Sequence, residues 1–200
     1  MRMKPQLYLA STSPYRKALL ARLVASFMTE QPGVDEDSRP GEAPAERAMR
    51  LAHAKAQAVA ARHPADWVLG SDQVADCSGR ILDKPGDAEN CREQLRACSG
   101  RSVRFYTAGV LMCKTPASIH RHVDCTTVRF RWLEPGEIAH YVDRDRPFDC
   151  AGGFRSEGLG IALFDAIETS DPTALVGLPL IWLAGALRAA GLDPLAEIQP

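Results

Sequence analysis

Apolar and polar positions fall in short alternating blocks along the chain. LYLA at 7–10 is an apolar run that predicts a buried strand, after which Ser11, Thr12 and Ser13 interrupt the pattern and Ala18, Leu19, Leu20 and Leu23 resume it at helical spacing. Ser13 suits an N-cap and Pro14 the first helical turn. Residues 30–44, rich in Pro, Gly and acids, predict a polar loop. Pro44 opens an Ala-rich helix over about 44–62, in which Arg47, Leu51 and Lys55 stack at i, i+4 spacing. WVLG at 67–70 predicts a second buried strand ending in Ser71–Asp72–Gln73, followed by a turn at Ser78–Gly79–Arg80. Asp87 caps a helix that stops near Gly100, and strand-like segments at 102–113 and 121–132, separated by a turn around Pro116, should pair antiparallel. A short helix over about 134–143, a Gly-rich loop and a last helix over about 179–190 complete the reading. Strands alternating with helices indicate an α/β protein, and the lack of repeats or linkers predicts one domain over 1–200.

Composition narrows the function. An apolar content of 46% in 200 residues supports a sizeable core. With 24 Lys plus Arg against 25 Asp plus Glu, the net charge of −1 argues against a duplex nucleic-acid binder. No apolar run approaches the length of a membrane span, and MRMKPQLYLA is too short in apolar residues for a secretory leader. The six cysteines form no CxxC pair, so a zinc site and a disulfide framework are both disfavoured and reduced thiols in the cytoplasm are expected. His120 and His122 share one strand face but have no third ligand nearby.

The candidate chemistry starts at the first strand–helix junction. Hydroxyls, free backbone N–H groups and Arg16 one turn into the helix favour an anion there, although Ser-x-Ser-Pro is also an ordinary capped helix start. Asp35, Glu36 and Asp37 crowd one loop, and Asp72 is expected just past a buried strand, where α/β enzymes place function. Lys55, Lys84 and Glu157 add charges that singly read as a helix lysine, a surface lysine and a loop acid. Their conjunction has an energetic consequence. A polyphosphate beside Glu36 and Asp72 would be repelled by roughly 4 kcal/mol per charge pair at about 4 Å and an effective dielectric near 20. Divalent cations bridging carboxylate and phosphate oxygens remove that penalty.

Seven ordered segments now stand together: LASTSPYRKALL at 9–20, GVDED at 33–37, RLAHAKAQ at 50–57, GSDQV at 70–74, LDKP at 82–85, CAGGFRSEGLG at 150–160 and LVGLPL at 175–180. On these segments the chain resembles the Maf family of nucleoside triphosphate pyrophosphatases over nearly its full length. The resemblance implies a mixed central sheet flanked by helices, and an elongated two-lobed, Ham1-like (ITPase-like) fold with the active-site cleft between lobes, a fold that often forms a homodimer. It also implies hydrolysis between the α and β phosphates of a nucleotide, dependent on Mg²⁺ or Mn²⁺, to yield a monophosphate and pyrophosphate. By motif, Ser11 and Arg16 resemble the phosphate binders and Lys55 and Lys84 the essential lysines. Glu36 resembles the metal-associated acid, with Asp35 a weaker candidate. Asp72 resembles the proton acceptor, which would deprotonate the attacking water or help hold the metal.

Three positions track the branch of that family. Gln73 and Glu157 look like the branch assigned to 7-methyl-GTP, since a carboxylate can accept from guanine N1–H and the amino group and favours a cationic ring. Tyr15 stands where that branch usually has Trp, which keeps an aromatic stacking partner of lesser strength. Two other readings stay open, the same hydrolysis on UTP, CTP or dTTP and a nucleotide-responsive regulator of septum formation with negligible turnover. A P-loop enzyme and a Rossmann dehydrogenase are disfavoured, because neither GxxxxGK[ST] nor GxGxxG after the first strand occurs.

Overall fold

The computed structural model describes residues 5–196; the first four residues of the amino-terminal stretch and the last four of the chain lie outside them. Ser13 caps the first helix as expected, its Oγ accepting from the Arg16 amide at 3.4 Å, and α1 spans Pro14–Leu20 after strand β1, Leu7–Leu9. Leu19 and Leu20 are buried, whereas Ala18 is exposed, so the apolar stripe is narrower than the sequence suggests. A two-residue strand β2 (Met28–Thr29) precedes the acidic loop, and α2 runs from Pro44 to Ala60. Strand β3 covers Trp67–Cys77 and turns into β4, Arg80–Leu82. Helix α3 (Ala88–Cys98) starts at Asp87, whose Oδ1 accepts from the Asn90 amide at 2.9 Å. The long strands β5 (Ser102–Lys114) and β6 (Ala117–Phe130) form the expected antiparallel pair, and α4 (Pro135–Asp145), β7 (Phe164–Glu168) and α5 (Leu180–Ala189) follow.

The seven strands form one mixed sheet in the order β2-β1-β3-β5-β6-β7, with β4 also on β3. β1 runs parallel to β2 and β3, and the remaining pairs are antiparallel. The cleft follows from the pairing of β3. On one flank β3 pairs with β5 along most of its length. On the other flank β1 covers only Trp67–Leu69 and β4 only Ala75–Cys77, so residues 70–74 have no strand neighbour on that side. Sequence reading ended this strand at residue 70 and placed Asp72 beyond it. Asp72 instead lies within β3, because pairing with β5 continues after β1 has diverged.

Two lobes lie either side of that gap. In the first, α1 and α5 cover one sheet face through Leu7, Leu9, Leu20, Leu69, Leu111 and Leu183. The other face packs on the small residues Ala48, Ala52 and Ala56 of α2. In the second lobe, α3 and α4 enclose Leu95, Phe105, Phe130, Ile138 and Phe154. All three clusters draw on β3 and β5, so continuous strands join the lobes.

Candidate active site

The period-2 geometry of a strand sends Gly70, Asp72 and Val74 to one face of β3 and Ser71 and Gln73 to the other. Each face meets a different partner. On the α2 side, the Lys55 ammonium donates to Asp72 Oδ1 at 2.7 Å and lies 2.8 Å from Glu36 Oε1. Lys55 and Asp72 are both buried, while Glu36, carried on the polar loop, is more than half exposed. Lys55 reaches this position because α2 lies very close to β3. A Cβ added at Gly70 would sit 2.3 Å from the Ala52 carbonyl oxygen and 2.7 Å from the Ala56 nitrogen.

The acidic loop is held by α2. Arg50 grips Glu42 with two bonds of 2.5 and 2.7 Å and donates to the Asp37 carbonyl at 3.1 Å. The bond from Arg50 pulls the Glu42 carboxyl below the usual carboxylate range. Asp35 accepts from the Asp37 amide at 2.9 Å and does not line the cleft, so its carboxylate shapes the turn and Glu36 is the acid presented to the site.

On the opposite face, Gln73 Nε2 donates toward Thr107 Oγ1 at 2.9 Å and the carbonyls of Ala174 and Leu175 at 3.1 and 3.0 Å. Two of these three are backbone oxygens that can only accept, so the amide is fixed with its nitrogen inward and Oε1 outside this set of bonds. Ser71 Oγ donates to the Gly177 carbonyl at 2.9 Å, and Arg16 Nε donates to the same oxygen at 3.0 Å. Gly177 has φ +126°, a conformation that favours glycine. One carbonyl thus ties β3, α1 and the loop before α5 together and sets the plane of the Arg16 guanidinium. Burial holds the Arg16 pKa below its usual value, and the neighbouring Asp72 and Glu36 carboxylates offset only part of that. Ser11 is buried and accepts from the Ser13 amide at 3.1 Å, which leaves its own O–H to donate.

Residues 149–157 make the far wall. Phe154 anchors the loop edge-on against Phe105, Phe130 and Phe164, with ring centroids 5.4, 5.6 and 4.8 Å away. Tyr15 crosses the cleft mouth to this wall, its O–H donating to Asp149 Oδ1 at 3.4 Å and accepting from the Cys150 thiol at 3.7 Å. Burial is the main reason that the Tyr15 phenol is raised above its usual pKa and the Cys150 thiol is pushed up to about 12. A thiol held neutral in this way is a poor nucleophile.

Nine residues expected from the sequence line one cleft of about 680 Å³: Ser11, Tyr15, Arg16, Glu36, Lys55, Asp72, Gln73, Lys84 and Glu157, whereas Asp35, the weaker candidate for the metal-associated acid, stays outside it. Arg47, Asp83, Asp149 and Arg155 line it too and were not singled out for chemistry. The sequence signal for Arg47 was its place on the same helical stripe as Leu51 and Lys55. His120 and His122 do not join the cleft; His120 lies against Trp67 and His122 stacks on Trp182.

A seven-stranded mixed sheet split along one strand, with ammonium, guanidinium and carboxylate groups converging in the split, defines an α/β protein with a charged cleft. The chain belongs to the Maf family, whose model, described as Maf-like protein, matches residues 6–190. A protein of Xanthomonas axonopodis pv. citri (strain 306), named 7-methyl-GTP pyrophosphatase, is 56% identical over 94% of this chain and 98% of its own length. A Bordetella pertussis (strain Tohama I) protein of the same name is 50% identical over 96% of this chain and 95% of its own. The Ham1 protein of Staphylococcus aureus aligns with 62% of this chain and 71% of its own at 13% identity and a TM-score of 0.44, too distant to bear on the site.

Proposed function

We propose that the protein is a cytoplasmic nucleotide pyrophosphatase that hydrolyses the α–β phosphoanhydride of 7-methyl-GTP, releasing 7-methyl-GMP and pyrophosphate and so removing an abnormal nucleotide. The observation that supports this reading best is the Glu36–Lys55–Asp72 cluster on the cleft floor, beside an Arg16 whose orientation is set by the Gly177 carbonyl.

The charge of the cleft bears on the metal. Among the described residues its lining holds five cations (Arg16, Arg47, Lys55, Lys84 and Arg155) and five carboxylates (Glu36, Asp72, Asp83, Asp149 and Glu157). A wall that is neutral overall leaves the roughly four negative charges of a triphosphate uncompensated, a penalty of several kcal/mol at an effective dielectric near 20. No group of three or more potential metal ligands occurs among the described residues. Two carboxylates completed by substrate oxygens and water is a donor set that suits Mg²⁺ or Mn²⁺. Glu36 and Asp72 are the residues that would hold it, and its chemistry would be to neutralise phosphate charge.

The protein's own groups account for the rest. Lys55 holds Asp72 Oδ1, which leaves Oδ2 free of that bond to take the proton of the water attacking the α phosphorus. The bond to the β phosphate then breaks and pyrophosphate leaves, with Ser11, Arg16 and Lys84 donating to phosphate oxygens. Tyr15 provides the stacking face. Gln73 Oε1 and the Glu157 carboxylate are two acceptors, which match the N1–H and amino donors of guanine; a uracil edge offers a single N–H.

A panel of 7-methyl-GTP, GTP, UTP, CTP and dTTP with Mg²⁺ or Mn²⁺, scored for both monophosphate and pyrophosphate, tests the proposal. The expected result is equimolar monophosphate and pyrophosphate with the highest kcat/KM for 7-methyl-GTP. Orthophosphate as the product would overturn the bond assignment, and preference for a pyrimidine would overturn the base assignment.

A further inference from the structure

Arg47 has no part in the chemistry assigned above, yet it lines the cleft and is poorly satisfied there. Its Nη2 donates to the Glu36 carbonyl at 3.4 Å and lies 3.8 Å from Asp83 Oδ1, and its Nε is buried with no partner among the described residues. An N–H of a guanidinium removed from water and left unpaired is costly, because its lost hydration is not replaced. Such a side chain gains when an anion offers paired oxygens to its planar fork. Its side chain is only 17% exposed, so little water remains to compete.

Its neighbours indicate which part of a nucleotide it would meet. Of its two contacts, the Glu36 carbonyl belongs to one of the acids of the reacting centre, and Asp83 is next to Lys84 in sequence. Neither belongs to the base-side set of Tyr15, Gln73 and Glu157. Resting on the pyrophosphatase reading, we infer that Arg47 is a binding residue for the leaving pyrophosphate, acting with Lys84 on the β and γ phosphates. In the free protein Asp83 holds the guanidinium loosely; on binding, the terminal phosphates replace Asp83 as its partner. Arg47 thereby favours triphosphates over diphosphates and contributes to product inhibition by pyrophosphate.

Calorimetric titrations with Mg²⁺ present, one with inorganic pyrophosphate and one with 7-methyl-GMP, test this on wild type, Arg47→Gln and Arg47→Lys. Arg47→Gln is expected to weaken pyrophosphate binding at least tenfold and leave 7-methyl-GMP binding unchanged, with Arg47→Lys between the two. Asp83→Asn, which removes the competing carboxylate, is expected to tighten pyrophosphate binding severalfold. Unchanged pyrophosphate affinity in Arg47→Gln would overturn the inference, and so would an equal loss for both ligands, which would make Arg47 a structural tie between loops. Failure of the wild type to release pyrophosphate from any triphosphate overturns the functional proposal instead, and the titrations distinguish the two.

Discussion

Asp72 shows how much a single residue's setting matters. Its carboxylate is buried, faces an ammonium at 2.7 Å and stands on the one stretch of β3 that lacks a strand neighbour on the cleft side. Asp72→Asn retains a side-chain acceptor for Lys55 but no longer offers a basic oxygen to the attacking water. Its kcat is expected to fall by about 10²–10⁴-fold, the usual worth of a positioned acid or base, while the melting curve stays cooperative. Near-wild-type turnover would remove Asp72 from the chemistry. That Ser11, Arg16, Lys55, Lys84 and Glu157 share one cleft was anticipated from their conjunction and the family resemblance, since singly each reads as a capped helix start, a helix or surface cation or a loop acid. The amide orientation of Gln73 was not legible, because Thr107, Ala174 and Leu175 set it from 34 to 102 residues away. Arg47 was visible only as one member of a helical stripe.

At the scale of elements, the approach of α2 to β3 sets the position of Lys55. The contact is made by residues without bulk, Ala52 and Ala56 on the helix and Gly70 on the strand. Gly70→Ala places a methyl group against helix backbone that cannot step aside, unlike the tip of a flexible side chain. Overpacking of this kind costs typically about 1–3 kcal/mol, or a fall of roughly 2–12 °C in Tm for a chain of this size. Turnover should fall as well, since any outward shift of α2 withdraws Lys55 from Asp72. Gly136→Ala is the control, because nothing lies within 4 Å of a Cβ there and the site is in the first turn of α4. It should hold or slightly raise Tm, given the helix propensity of alanine. The five helices were legible from periodicity and caps. β2, β4 and β7 were not, since two, three and five residues are too few for an alternating pattern to stand out from a loop.

For the molecule as a whole, stability and activity should respond differently to metal. The cores of both lobes are apolar and close without any metal cage among the described residues. Chelation by EDTA is therefore expected to abolish turnover with Tm unchanged within about 2 °C, and added Mg²⁺ or Mn²⁺ to restore it, in contrast to proteins whose fold depends on bound metal. A chelated protein that melts much earlier would mean that the metal is part of the fold. The sequence by itself determined the local choices: where helices start and which polar residues stand at the junctions, because these depend on neighbours within one or two turns. It also indicated that anion-binding and acidic residues occur together. Only the tertiary structure decided that Asp72 lies inside a strand and points at Lys55, that one carbonyl at Gly177 orients Arg16, and that an under-bonded Arg47 stands beside the acids. Those outcomes depend on where β1 leaves β3 and where β4 rejoins it, a matter of pairing between distant segments that no local pattern encodes.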